Sequence, residues 1–289
     1  MKKLFLLLTR SLKNINSLVL LITPYMIVLG LLILLPFLIT IIYAIISYSH
    51  QGFLKISFQQ FINFFNNQDL GLVLLYTILV AFITSIICLI IGYPVAYILA
   101  YKVKHQLRKQ FLWALFIFPI WINLLIRTYG LTSFFHLISN ANFDLVGTWG
   151  GIVIGAVNAF VPFLIINVYN SLNSIDKDYI NASSDLGASN WATIRKIIIP
   201  LSINGIFAGF ILVFISTATS LVIPHFLGGG KHVLISNVIE NFFFRSNNFS
   251  FAAAISLIVL VVIYFSLYIF KLISKFLQTK VWHRKKPLK

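Results

Sequence analysis

NSIDKDYINASSDLGASNWATIRKIIIP, residues 173–200, is the longest polar interval in the later part of a chain that is mostly apolar. It predicts two short helices joined at Gly187, which stops the first helix (178–186) in the left-handed conformation that glycine tolerates. Ser189 is a suitable N-cap for the second helix, and Pro200 is predicted to end it. The interval contains half of the six acidic residues of the chain: Asp176, Asp178 and Asp185.

The second of these helices is predicted to be amphipathic. Trp191, Ile194 and Ile198 fall at i, i+3 and i+7, which places them on one face of an α-helix. The interval therefore has the shape of a docking element for a protein outside the membrane, and an ordinary amphipathic loop is the alternative.

The composition is typical of a polytopic membrane protein. Hydrophobic residues make up 60% of the 289 residues and charged residues only 10%, whereas a soluble protein carries about 25% charged residues. Long apolar runs recur along the chain, which predicts an all-α integral membrane protein. The net charge of +16 does not indicate nucleic-acid binding, because the basic residues lie in short segments at the ends of the apolar runs.

The apolar runs predict about six transmembrane helices: 18–46, 72–101, 111–138, 149–170, 201–222 and 251–271. The third run is interrupted by Asn123, Arg127 and Gly130, which predicts a kinked or partly re-entrant helix. The predicted organisation is a basic N-terminal segment, a first transmembrane helix, a five-helix core that includes the interval 173–200, and a basic tail: 1–17, 18–47, 70–271 and 272–289.

The distribution of basic residues predicts the orientation in the membrane. Eighteen of the 22 lysines and arginines lie on one side, in four segments: 1–17, 102–110, 173–200 and the tail from 271. The positive-inside rule therefore predicts that both termini and the interval 173–200 are cytoplasmic. A protein that docks on this interval should accordingly be cytosolic.

The sequence contains no motif that indicates nucleotide binding, metal binding or catalysis. FLGGGKH (226–232) lacks the first glycine of a Walker A loop and has His232 where Ser or Thr is needed. The histidines are scattered without metal-ligand spacing, and no Ser or Cys nucleophile stands beside a base. The sequence thus predicts neither an enzyme nor a metal site. Carboxylates deep in the spans, which proton or sodium relays use, are also lacking, and this disfavours a gradient-driven carrier.

The interval 173–200 resembles the cytoplasmic EAA loop of ABC importer permeases. That loop has the pattern E-A-A, three residues, Gly, nine residues, then I-x-L-P. Here Asn181, Ala182 and Ser183 stand at the first three positions, Gly187 has the matching offset, and Ile197 to Pro200 closes the pattern. Asn181 replaces the glutamate of the pattern, which removes a charge. In that family the loop is a coupling helix that sits in a groove of a cytosolic ATPase.

Further strings, in order and at similar spacing, resemble permeases of the spermidine/putrescine ABC importers over about residues 70–270. They are GYPVAYILA (92–100), PIWINLLIRTYGL (119–131), VPFLIINVYNSLNSIDK (161–177) and GGGKHVLISNVIENFF (228–243). The resemblance implies the type I ABC importer permease fold in the bacterial inner membrane. It also implies several partners: a similar sister permease in a heterodimer, two cytosolic ATPases, a periplasmic binding protein and the bilayer. No cofactor is expected in this chain, because the ATP is used by the partner ATPases.

Two alternatives to a polyamine importer stay open. The first is the same machine with another solute, such as iron, thiamine or another small cation. The second is a carrier or channel that acts alone on an ion gradient.

The resemblance assigns candidate residues to three sites. For ATPase coupling these are Asn181, Ala182, Ser183, Asp185, Gly187, Trp191 and Pro200. For the translocation pathway they are Trp121, Asn123, Arg127, Tyr129, Asn158 and Pro162, all near breaks in the spans. Because a polyamine is a polycation, acids at the outer mouth are further candidates: Asp69, Asp144 and Glu240. Arg127 is unsuited to a cation pathway and is expected instead to pair with an outer acid and hold a gate.

Overall fold

The computed structural model describes the backbone of residues 2–48, 54–139 and 144–283, and the side chains of residues 19, 22–46, 56–139 and 144–276. This part of the chain is almost entirely helical. In chain order the α-helices are α1 (Lys2–Ile45), α2 (Gln59–Asn66), α3 (Gln68–Tyr97), α4 (Gln106–Trp121), α5 (Leu124–Ile138), α6 (Trp149–Asn173), α7 (Lys177–Asp185), α8 (Asn190–Thr193), α9 (Ile199–Leu201), α10 (Ile203–Ala218), α11 (Val222–Leu227), α12 (Ile235–Phe244) and α13 (Phe249–His283). Two π-helices, Ile98–Lys102 and Ile194–Ile198, continue α3 and α8.

Among the described residues, the other regular structure is a small antiparallel pair of strands, β1 (Ile46–Tyr48) and β2 (Leu54–Ile56), with Ser47 opposite Lys55. These strands are not predicted from the sequence. They connect α1 to α2 at one end of the helical bundle. The prediction of an all-α membrane protein is confirmed for the bundle itself.

The helices account for the predicted membrane spans. Four stretches are long and apolar enough to cross a membrane: Ile22–Ile45, Gln68–Lys102, Trp149–Asn173 and Phe249–Phe276. Up to six spans result if each of two bent pairs is one span: Gln106–Trp121 with Leu124–Ile138, and Asn190–Leu201 with Ile203–Ala218. Each of the six predicted spans overlaps one of these.

The interruption predicted in the third span is a sharp break. Helices α4 and α5 meet at 94°. Helix α4 ends at Trp121, two residues after Pro119. Asn123 is the N-cap of α5, and its side-chain oxygen accepts a hydrogen bond of 2.8 Å from Leu125 N. An asparagine cap of this kind satisfies an N–H group that has no partner inside the new helix.

The ends of the last two predicted spans are corrected by the structure. Helix α10 ends at Ala218 instead of residue 222, because Ser220 N donates to Thr217 O in a tighter turn and Thr219 Oγ1 bonds Ile215 O at 2.8 Å. Helix α13 continues beyond residue 271 to His283, since neither Gly nor Pro occurs between 249 and 286. Residues 284–289 of the predicted basic tail lie outside the described residues.

Helices α3, α6 and α10 form the centre of the bundle. Leu164, Val168 and Val213 are fully buried between them. Small residues allow the close approach: a Cβ atom on Gly205 would lie 2.2 Å from Ser171 Cβ and 2.8 Å from Asn167 O. Close contact through small residues is how helices associate in lipid, where apolar burial gives little driving force between helices.

Helices α1 and α13 pack at the periphery. Ala44 near the end of α1 is buried against Ala253 and Ala254 near the start of α13, so these helix ends lie together. Ser250 Oγ donates to Ile46 O at 3.1 Å, which ties β1 to α13. In the most apolar window of Ile22–Ile45 no residue is buried, as expected for a helix whose surface faces lipid.

Substitution of Gly205 by alanine is predicted to destabilise the bundle by about 1–3 kcal/mol, because the new Cβ atom forces α10 away from the α6 backbone. The matched control is Gly71→Ala, since no heavy atom lies within 4 Å of a Cβ atom at that helical position. Thermal unfolding of the two purified variants in the same detergent would measure the difference. Equal melting temperatures for both variants would contradict this account of the α6–α10 contact.

Candidate functional site

Helix α7 forms the first half of the 173–200 interval. Its N-cap is Asp176, whose carboxylate accepts a hydrogen bond of 3.1 Å from Asp178 N. A negative charge at a helix N-terminus is favourable there, because the first N–H groups point outward without partners. The helix therefore begins at Lys177, one residue earlier than predicted.

Gly187 ends this helix as the sequence predicts. Its φ of +73° lies in the left-handed region. Gly187 N donates to Ser184 O at 2.9 Å, and Ala188 N donates to Ser183 O at 3.1 Å. This is the Schellman pattern, in which two carbonyls left over at a helix end are satisfied by the turn that follows. A Cβ atom at Gly187 would meet nothing within 4 Å, so only the backbone conformation requires glycine.

The second helix of the interval is composite. Ser189 is its N-cap, as predicted, and its Oγ accepts from Ala192 N at 3.3 Å. The predicted end at Pro200 is wrong, because α9 continues through Pro200 to Leu201. The preceding π-helix already closes with Ile199 N bonding Ile194 O, and proline fits the first turn of the next helix, where an N–H group is not required.

A buried hydrogen bond joins the two helices. Ser183 Oγ and Thr193 Oγ1 lie 2.8 Å apart, and each residue is only 6% exposed. Thr193 Oγ1 also donates to Ser189 O at 3.2 Å, so Ser183 is the donor in the pair. We call this pair the hydroxyl bridge. It holds α7 and α8 in one arrangement, because an unpaired hydroxyl at this depth would cost about 1–3 kcal/mol.

The tip of the interval presents apolar side chains to solvent. Leu186 is 88% exposed and Trp191 is 68% exposed. The prediction that Trp191 shares one face with Ile194 and Ile198 is wrong, since Ile198 is buried and Trp191 is not. The five-residue turn of the π-helix shifts the angular register, and Thr193 takes the inward position instead.

An apolar groove runs between the two halves of the interval. Its volume is about 370 Å³. Of the predicted coupling residues, Ala182, Ser183 and Pro200 line it, together with Leu186 and Ile197. We call it the loop groove. Exposed large apolar side chains beside an apolar groove are a feature of protein-binding surfaces.

The two remaining predicted coupling residues lie elsewhere on α7. Asn181 points to the other side of the helix, where it lines a separate cavity. Asp185 is the last residue of the helix and is exposed. The structure therefore brings most of the predicted coupling set onto one surface and places Asn181 on another. Leu186, Thr193 and Ile197 were missed. Spacing could have indicated only Leu186, three residues after Ser183, because Thr193 and Ile197 lie beyond the turn at Gly187.

Four of the six predicted pathway residues lie at the break between α4 and α5. Trp121 ends α4, Asn123 caps α5, and Tyr129 packs edge-on against Phe226 with ring centroids 6.1 Å apart. Trp121 and Tyr129 are exposed. Asn158 and Pro162 lie on α6, where Asn158 is exposed and Pro162 is buried.

Arg127 connects this break to α6. One nitrogen of its guanidinium donates to Pro119 O, and the other donates to Ala159 O at 2.9 Å. These carbonyls belong to α4 and α6. The expectation that Arg127 pairs with an outer acid is therefore wrong in the described part of the chain, where both of its hydrogen bonds go to backbone carbonyls. The guanidinium supplies donors that the broken helix cannot.

The three predicted outer acids do not form one cluster. Asp69 is exposed in the first turn of α3, and Asp144 accepts a hydrogen bond of 2.9 Å from Val146 N in the segment before α6. Glu240 lines a cavity of about 320 Å³ with His225 and Arg245. The three carboxylates thus lie in separate local environments.

Comparison with known proteins identifies the family. Residues 92–277 match the binding-protein-dependent transport system inner membrane components, and the chain belongs to this family. It is similar to the spermidine/putrescine transport system permease protein PotB of Escherichia coli K12, with 34% identity over 221 residues, 72% of this chain and 80% of the relative.

Solved structures show the fold. A bacterial ABC transporter involved in the import of the acidic polysaccharide alginate matches with a TM-score of 0.67 at 17% identity, covering 93% of this chain and 98% of the other. A bacterial alginate ABC transporter in complex with an alginate pentasaccharide-bound periplasmic protein matches with a TM-score of 0.68 at 16% identity, covering 93% of this chain and 97% of the other. At this identity the likeness shows the fold, which is that of an ABC importer permease.

Substitution of Thr193 by valine is predicted to loosen the 173–200 interval by about 1–3 kcal/mol, because the Ser183 hydroxyl stays buried without its acceptor. Hydrogen exchange of the amides in residues 177–193 would report the loss as faster exchange. Ser184→Ala is the matched control, since Ser184 is exposed and bonds only Ile180 O of its own helix. Unchanged exchange in Thr193→Val would show that the hydroxyl bridge does not hold the two helices together.

Substitution of Arg127 by leucine is predicted to lower stability by about 1.5–3 kcal/mol, because two hydrogen bonds from a charged donor are lost at the helix break. Lysine at the same position should recover only part of this, since an ammonium group lacks the planar fork that reaches two carbonyls. Thermal unfolding would be compared with Arg245→Leu, which removes an exposed arginine. A melting temperature no lower than that of Arg245→Leu would overturn this role of Arg127.

Proposed function

We propose that this chain is the membrane permease subunit of an ATP-driven importer for polyamines such as spermidine and putrescine. The observation that carries the proposal is the 173–200 interval, a rigid helical pair with an exposed apolar tip at the position of the EAA pattern. Similarity to PotB over 72% of the chain supports the polyamine class. The chain supplies one half of the translocation pathway.

The 173–200 interval docks a cytosolic ATPase in this proposal. Leu186 and Trp191 insert into the partner, and the loop groove beside them provides further apolar contact. Large apolar and aromatic side chains of this kind are typical anchors of protein interfaces. The interval and both termini lie on the cytoplasmic side of the bacterial inner membrane, because the lysines and arginines are concentrated in these segments.

The proposal includes the other partners that the resemblance to ABC importers implies. A PotC-like sister permease completes the pathway as a heterodimer, two ATPases bind below, and a periplasmic binding protein delivers the solute. ATP is bound and hydrolysed by the ATPases, and this chain holds no cofactor of its own. Trp121, Asn123, Tyr129, Asn158 and Pro162 are the proposed pathway residues, and Asp69, Asp144 and Glu240 act at the outer mouth.

Movement of the docked interval reaches the transmembrane helices through α9. Helix α9 leads directly into α10 across a 65° bend at Ser202. Because α10 packs tightly on α6 through Gly205 and Gly209, a displacement of the interval moves α10 and α6 together. ATP binding to the partner thereby favours one of two arrangements of the bundle, and ATP hydrolysis restores the other.

Substitution of Gly187 by arginine is predicted to abolish both copurification of the ATPase and solute uptake, while the chain still inserts in the membrane. The substitution forces a bulky residue into a left-handed turn at the docking tip. Gly230→Arg is the control for copurification of the ATPase, since Gly230 also has a positive φ, of +72°, and open space around its Cβ position, but lines the cavity of Glu240 and not the interval. Normal uptake by Gly187→Arg would refute the docking assignment.

The substrate class is tested by uptake of labelled spermidine in cells with and without this gene, in the presence of the sister permease and the ATPase. We expect gene-dependent and ATP-dependent uptake that putrescine blocks and unrelated solutes do not. Copurification of the ATPase without polyamine uptake would retain the importer and redirect the search to iron, thiamine or another small cation. Uptake without any ATPase would favour a gradient-driven carrier.

A further inference from the structure

A second cavity, of about 520 Å³, lies on the face of α7 opposite the loop groove. Lysines from three segments line it: Lys102 and Lys104 after α3, Lys109 of α4 and Lys177 at the start of α7. We call this cavity the lysine pocket. We propose that it binds the phosphate of an acidic phospholipid headgroup, and that the bound lipid restrains the 173–200 interval.

The positive charge of the lysine pocket is not compensated within the described part of the chain. No Asp or Glu lines it. Lys102, Lys104 and Lys177 have no ion-pair partner among the described residues, and Lys109 Nζ lies 5.3 Å from the centroid of the Tyr169 ring. The two aspartates that flank Lys177 in the chain, Asp176 and Asp178, do not line the pocket, and Asp176 is the N-cap of α7. Like charges gathered in this way repel one another unless an anion joins them.

The asparagine at position 181 accounts for the uncompensated positive charge of the lysine pocket. It lines the lysine pocket at the position where the EAA pattern has glutamate. A glutamate there would supply the missing negative charge among the lysines. Asn181 and Asn190 instead offer neutral amide groups that can donate hydrogen bonds to phosphate oxygens. The composition of the pocket therefore fits an oxyanion that arrives from outside the chain.

The position of the pocket selects a lipid as the source of that anion. The apolar span Gln68–Lys102 ends at the first of the four lysines, which is the depth of lipid headgroups. A phosphate bound among the lysines would therefore lie at the level of the lipid phosphates of the bilayer.

A bound headgroup would join elements that otherwise meet only loosely. Lys102 and Lys104 follow α3, whereas Lys177 begins the helix that carries the hydroxyl bridge. One phosphate held by both groups ties the start of α7 to the end of α3. The lipid thereby limits how far the 173–200 interval can move. This inference concerns lipid binding by the chain itself and does not depend on the transported solute.

The test is retention of phosphatidylglycerol by the full chain, purified from vesicles of phosphatidylcholine that contain a minor fraction of phosphatidylglycerol, with native mass spectrometry as the readout. Lys102→Gln combined with Lys104→Gln should weaken retention by about tenfold or more, since each lysine near an anionic lipid contributes to binding. Asn181→Glu should weaken it similarly, because the new carboxylate competes with the phosphate. The matched control is Lys196→Gln, which changes a lysine of the loop groove on the opposite face.

The outcomes separate the possible ligands. Retention of phosphatidylglycerol by the native chain and by Lys196→Gln, with loss in the other two variants and no displacement by inorganic phosphate, would support the proposal. Hydrogen exchange of residues 177–185 should then slow when phosphatidylglycerol is present. Displacement by inorganic phosphate would overturn the lipid as the ligand. Equal retention in all variants would overturn the site, because general attraction to the basic surface would then account for the binding.

Discussion

Every backbone N–H and C=O group at hydrocarbon depth must find a hydrogen-bond partner inside the protein, and the architecture of this chain depends on that constraint. Continuous helices satisfy it without help. The break between α4 and α5 interrupts the helical hydrogen bonds, and particular side chains supply the missing partners. Asn123 accepts from Leu125 N, and Arg127 donates to Pro119 O and Ala159 O. Through its hydrogen bond to Ala159 O, Arg127 also links the break to α6.

In the proposed function the interval 173–200 transmits a movement to the bundle, and for this it has to be rigid. Its two halves are too short to be stable alone, since isolated helices of this length are marginal in water. The Schellman turn at Gly187, the N-cap at Ser189 and the hydroxyl bridge between Ser183 and Thr193 hold them together. A rigid pair passes a force to α10, whereas a flexible loop would absorb it. Gly205 packs closely on Ser171, and in the proposed function this contact would carry the displacement into the central helices.

The two faces of α7 serve different chemistry. One face, with Ala182, Ser183 and Leu186, is apolar and opens on the loop groove. The other face, with Lys177 and Asn181, is polar and opens on the lysine pocket. A helix with these two faces can contact a protein partner on one side and a lipid headgroup on the other. Asn181 belongs to the second face, so its departure from the EAA pattern alters the lysine pocket and leaves the loop groove unchanged.

The sequence by itself determined the class of fold, most of the spans and the turn at Gly187, because apolar runs, charge bias and glycine requirements are local properties. The spacing from Asn181 to Pro200 was likewise enough to place the interval that is proposed to dock the ATPase. Only the tertiary structure decided the partners of Arg127, the exposure of Trp191 and the continuation of the helix through Pro200. A π-turn changes the register that an i, i+3, i+7 pattern assumes. The lysine pocket could likewise be found only from the tertiary structure. Lys102 and Lys177 lie 75 positions apart in the chain, and only folding brings them to one cavity.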